Sequence, residues 1–152
     1  MRDQGFTLIE LMIVITIVAI IAAFAFPSYQ ESVINAKRVD AQADMMSIAN
    51  RLQKYKIANF SFLKAGGASV TLSDIGQANQ TPQSSRPLYD LVLSNVTAST
   101  WTLTATPITT STQYGNGHIV LNHRGQRCWS KKTDQNGGTA CVPSDSTNWD
   151  GR

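Results

Sequence analysis

The sequence predicts an α+β protein in which one long N-terminal helix packs on a three- to four-stranded antiparallel β-meander. Three observations predict it. Leu11 to Phe26 is an apolar run interrupted only by Thr16. Ser28 to Asn59 contains no Gly or Pro and repeats apolar or small residues with the i, i+3, i+4 rhythm of a helix. Between Leu88 and Trp129, short segments alternate apolar and polar residues and are separated by turn formers.

Counted from Phe6, the apolar run reaches the roughly 20 residues that cross a bilayer. One carboxylate, Glu10, lies near its start. An acid in hydrocarbon costs about 2.5–3.5 kcal/mol on insertion scales, so Glu10 requires a partner and marks a functional position. A removable secretory signal has a shorter apolar region followed by a small-residue cleavage site. Here Pro27-Ser28-Tyr29 follows directly, so the segment is expected to stay in the mature protein.

Gly5-Phe6-Thr7-Leu8-Ile9-Glu10, the run behind it and Pro27-Ser28-Tyr29 together resemble the class III signal of type IV pilins. The resemblance implies that residues 1–5 are a leader removed by a membrane prepilin peptidase between Gly5 and Phe6. Phe6 then becomes the methylated N-terminus. Residues 6–27 form the transmembrane and filament-core helix, and 28–152 the globular pilin domain. Cleavage frees an amine at Phe6 one turn before Glu10, and i, i+4 positions share a helix face. The Glu10 carboxylate is therefore expected to pair with that amine, within the chain or on a neighbour, which fixes the axial register. Pilins commonly carry a glycine where this chain has Ala19, a strong helix former, so local unwinding there is not implied.

The formal net charge is +3 with a pI of about 9.0. Arg2 and Asp3 cancel, and Lys37 with Arg38 lies on the far side of the run. The positive-inside rule thus argues weakly for the opposite orientation, and the cleavage motif decides it. The chain is expected in the bacterial inner membrane as a single-pass protein with a periplasmic C-terminal domain, and afterwards in the extracellular pilus.

Pro27 removes a backbone donor and crowds the Ala23 carbonyl, which predicts a kink. The upper helix, 28–59, is expected to lay Tyr29, Val33, Ala36, Val39, Ala43, Met46, Ala49 and Leu52 on the sheet. Residues 60–87 form a connecting loop with a short element around Leu72 to Ile75. Strands follow at Leu88–Leu93, Trp101–Thr106, His118–Asn122 and Gln126–Trp129, with Tyr89, Leu91 and Leu93 on one face and Trp101, Leu103 and Ala105 turned inward. Pro87-Leu88-Tyr89 and Trp101 to Pro107 also resemble the sheet of PilE-like minor pilins.

Cys128 and Cys141 are an even pair in an exported domain and read as one disulfide, closing a C-terminal loop over 128–152. His118 and His123 face opposite sides of one strand, so no metal site is expected. Asp145 and Asp150 are too few oxygens for calcium. Arg124, Arg127, Lys131 and Lys132, near Trp129 and Trp149, form a candidate DNA-binding region, against which a solvated loop edge is the preferred reading. No nucleophile motif, phosphate loop or cofactor motif points to an enzyme. The reading that results is a structural subunit of a type IV pilus, a minor pilin that helps initiate filaments. It has other pilins, the peptidase, an inner-membrane assembly platform and lipid as partners. The alternatives are a DNA-binding pilin for natural transformation and a type II secretion pseudopilin.

Overall fold

The computed structural model describes residues 7–83 and 86–151. Gly5 and Phe6, the expected cleavage and methylation positions, lie outside them. Helix α1 runs Leu8–Asn59 and contains Pro27. A single 3-10 turn, Ser73–Ile75, follows at the place expected for a short element. Strands β1 (Gln80–Thr81), β2 (Tyr89–Ser94), β3 (Thr102–Pro107), β4 (Ile119–Asn122) and β5 (Arg127–Trp129) form one antiparallel sheet in the order β1-β2-β3-β4-β5.

The sheet therefore has five strands, one more than the upper expectation. Strand β1 is two polar residues in a stretch rich in breakers, too short to show alternation. Tertiary contacts hold it instead. Thr81 is buried and its hydroxyl donates to the Asp44 carboxylate of α1, while Gln80 Nε2 donates to Asp90 Oδ1 across the pair at 2.9 Å.

The chain divides into two compact units, Met1–Ala36 and Lys37–Arg152. The hydrophobic core belongs to the second unit. From α1 it takes Ala41, Met45, Ile48 and Leu52, and from the sheet Tyr89, Leu91, Leu103, Ala105, Ile119 and Leu121. Phe62 and Trp101 close it edge to face, 6.4 Å between ring centroids at 90°, an arrangement aromatic quadrupoles favour. The inward faces expected for β2 and β3 are the observed ones.

The helix face is not. Of the expected stripe only Leu52 is fully buried and Ala49 partly so, whereas Tyr29, Val33, Val39 and Met46 are exposed. The buried stripe is Ala41, Met45, Ile48, Leu52, continued by the half-buried Tyr55. Small alanines carry little burial energy, so volume decides. Met45, Ile48 and Leu52 each gain about 1.5–3 kcal/mol on burial, and the helix turns them inward.

The C-terminal segment is irregular, as expected, and tied by the Cys128–Cys141 disulfide. It is also docked. Trp149 Nε1 donates to the Val120 carbonyl at 3.1 Å and Thr147 Oγ1 to the Arg127 carbonyl at 2.9 Å. The indole of Trp149 packs against the core.

Candidate functional site

Two regions carry the candidate functional residues. The first is the start of α1. Thr7 stands just before the helix, and its Oγ1 accepts from the Glu10 N–H at 3.3 Å. Thr7-x-x-Glu10 is thus the spacing of a capping box, in which a hydroxyl satisfies one of the unpaired first-turn donors. Glu10 occupies the third helical position, where a carboxylate meets the positive end of the helix dipole. This helix-starting role of the Thr7/Glu10 pair went unread in the sequence, although the Thr-x-x-Glu spacing signals it, and is additional to the pairing expected with Phe6. Further along, Thr16 Oγ1 donates to the Met12 carbonyl at 2.7 Å, which removes the run's single polar interruption.

The side chains of this segment point outward throughout. Leu8 and Phe24 are each 77% exposed, and no residue of the run is buried. Mean hydropathy reaches 2.8 over its most apolar stretch. A surface of that size and character is not left to water; it needs lipid or other apolar helices around it.

The second region is the turn between β4 and β5 and the tail beside it. Arg124 and Arg127 line one polar groove of about 300 Å³ together with Asp145 and Thr147. The guanidinium of Arg127 lies over the Trp149 ring, 5.3 Å from its centroid. Gln126 Nε2 donates to Asp145 Oδ1 at 2.6 Å, so an acid sits within the groove. Lys131 and Lys132 are exposed on the turn after β5 and do not line it. The four candidate cations are therefore two pairs: the arginines line the groove, and of these Arg127 also meets an aromatic ring.

A fifth cation is placed by the fold and was read in the sequence only in the charge balance across the apolar run. Arg38 extends the buried stripe of α1 by one turn, at i−3 from Ala41. Its guanidinium stacks on Trp129, 3.8 Å from the ring centroid, and donates to Asn116 Oδ1 at 2.8 Å. Asn116 Nδ2 in turn donates to Gln113 Oε1 at 2.7 Å and to the Tyr89 hydroxyl at 3.3 Å. The Tyr89 hydroxyl donates to the same Gln113 oxygen at 2.8 Å. Burial lowers the pKa of Arg38 and pushes that of Tyr89 up to about 12. This network knits α1 to the β3–β4 connection and to β5.

An apolar helix leading into a sheet domain with a C-terminal disulfide defines a pilin-type subunit, and comparison with known proteins gives the family. Residues 27–117 match the family described as type IV minor pilin ComP, DNA uptake sequence receptor. Residues 1–26 match the prokaryotic N-terminal methylation motif. The chain belongs to this minor pilin family. It is similar to the type II secretion system core protein G of Pseudomonas aeruginosa, 39% identical over 61 residues, which are 40% of this chain and 43% of that protein. It is also similar to the fimbrial protein EcpB of Eikenella corrodens, 42% identical over 66 residues, 43% of this chain and 37% of that one. A fimbrial protein of Pseudomonas aeruginosa is 30% identical over 79 residues, 52% of this chain and 51% of that one. The matches thus span between 37% and 51% of these relatives' lengths. In fold the chain is similar to the non-core minor pilin PilV of Neisseria meningitidis, at a TM-score of 0.52 and 16% identity, covering 72% of this chain and 98% of that one.

Proposed function

We propose that the chain is a minor structural subunit of a type IV pilus. In this reading residues 1–5 are removed by the prepilin peptidase between Gly5 and Phe6, Phe6 is methylated, and residues 6–27 hold the subunit in the inner membrane. The globular part, 28–152, stands on the periplasmic side until an assembly platform moves the subunit into a filament. The observation that carries it is the wholly exposed apolar surface from Leu8 to Phe26. In lipid that surface faces acyl chains; in a filament it faces sister helices. Both are apolar, so hydrophobicity alone does not select the register. Glu10 supplies the selection by pairing with the Phe6 amine of a neighbour, and Pro27 marks the weak point in the helix. The test is Glu10→Val in piliated cells, followed by blotting membranes and sheared filaments. The expected result is a cleaved subunit that stays in the membrane. Normal incorporation would remove the register role.

A DNA-receptor reading is favoured by the family match. Its best-placed residues are Arg124 and Arg127, which line one groove with Arg127 over the Trp149 ring, and Lys131 and Lys132 are a separate pair. Arg124→Ala with Arg127→Ala is expected to weaken binding of duplex DNA and to lower the slope of log affinity against log salt by roughly 2. The lysine double variant is expected to change both less. Gel shifts on the full chain in detergent at two salt concentrations decide it. Equal losses in the two variants would dismiss the groove.

A further inference from the structure

The two edges of the sheet are finished differently. Along β5 the tail runs beside the strand, and Thr147 Oγ1 donates to the Arg127 carbonyl. Along β2 the neighbour β1 pairs only with Tyr89 and Asp90, and the last contact is the Leu91 N–H donating to the Asn79 carbonyl at 2.7 Å. Backbone groups of successive strand residues point to opposite sides. Since the Leu91 N–H points away from β3, so do the Leu91 carbonyl and both backbone groups of Leu93. Among the described residues none of these three groups has a hydrogen-bond partner. They open on a groove of roughly 420 Å³ whose far wall is residues 69–72.

Proteins usually blunt such an edge with lysine, proline or a bulge, because it templates another strand. None of these protects residues 91–94, which read Leu-Val-Leu-Ser. Val92 at this stretch is 54% exposed. We propose that the free half of the β2 edge docks an extended, uncharged strand donated by a neighbouring subunit of the filament; this rests on the filament reading above. The chemistry selects that occupant. Donor and acceptor alternate along the edge at strand spacing, a pattern that a peptide backbone matches. No ionisable side chain lines the groove, so a phosphate polymer finds no counter-charge there. At about 3.3 Å per residue the open stretch seats four or five residues. Main-chain bonds then supply affinity, and the groove selects alternate side chains.

The test places p-benzoylphenylalanine at the Val92 position of the full chain in piliated cells, irradiates sheared filaments and maps adducts by mass spectrometry. The expected adduct joins position 92 to an uncharged, non-helical stretch of another pilin subunit. Filaments that contain the probe but give no inter-subunit adduct, or an adduct on a helix or a charged surface, overturn the docking site and leave the filament reading standing. Absence of the subunit from filaments, with Val92 unaltered, overturns both. A second pair separates backbone from side chain. Leu93→Pro removes the outward N–H and is expected to lower incorporation about tenfold, as about 1.4 kcal/mol of lost edge bonding implies. Leu93→Ala keeps that N–H and is expected to incorporate nearly normally. Equal incorporation of two folded variants contradicts the proposal.

Discussion

Two charged side chains show how position along the chain decides what a charge does. Arg38 stands on the core side of α1. One turn below the core stripe it stacks on Trp129 and holds Asn116. Arg38→Ala is expected to cost about 2–3 kcal/mol in urea unfolding, combining a partly desolvated cation–π contact with a charged hydrogen bond. Arg38→Lys is expected to recover less than half, because an ammonium does not stack as a planar guanidinium does. Asp74 is the second case. The Lys64 ammonium at 2.7 Å, and then the Thr71 hydroxyl and N–H, hold its carboxyl down to about 2 from the ordinary 3.8. A carboxyl whose pKa falls on folding adds stability above its unfolded pKa, and that stability disappears as pH drops through the folded one. Unfolding midpoints followed from pH 5 to pH 2 should therefore fall less steeply between about pH 4 and pH 2 in Asp74→Asn than in the parent. Parallel curves would mean that the carboxyl does not hold the turn at residues 71–76.

At the scale of elements, α1 is the clearest case of a rhythm that locates a helix without orienting it. Val39, Ala43 and Met46 share the same i, i+3, i+4 spacing as Ala41, Met45, Ile48 and Leu52, so either stripe satisfies the pattern. Burial distinguishes them: Ile48 is fully buried and Val39 is 57% exposed. Ile48→Ala is accordingly expected to cost 2–5 kcal/mol, roughly the range for aliphatic truncations in a core. Val39→Ala is expected to stay within about 0.5 kcal/mol. The reverse order would restore the face expected from spacing alone. Strands β2 and β3 were legible down to their inward faces, since Tyr89, Leu91 and Leu93 share one face and Trp101, Leu103 and Ala105 alternate strictly with threonines. Strand β1 was not, because two residues held by Asp44 and Asp90 leave no periodic trace. The docking of Trp149 was equally hidden, as it depends on a carbonyl of β4 that lies 29 positions away in sequence. In the candidate site, the arginine pair could be named from the chain. Its separation from Lys131 and Lys132 required the turn after β5.

At the scale of the whole molecule, the division at residue 36 separates two kinds of surface. Among the described residues the first unit buries none of its large apolar side chains, while every member of the hydrophobic core falls in Lys37–Arg152. The second unit has its own sheet, core and disulfide. A fragment of residues 37–152, exported to an oxidising compartment, is expected to fold as a water-soluble domain with a single cooperative thermal transition. Its near-UV circular dichroism should match that of the full chain in detergent, since Trp101, Trp129 and Trp149 all lie within it. The disulfide makes the experiment quantitative. Its two cysteines are 13 positions apart, and in the chain-entropy model closing a loop of that size contributes about 3 kcal/mol. Replacing both cysteines by serine should lower the fragment's unfolding free energy by about that amount and leave the denaturant slope nearly unchanged. A fragment without a cooperative transition, its disulfide intact, would mean that the apolar unit supports the sheet domain as well as anchoring it. The separation of anchoring from folding would then be wrong.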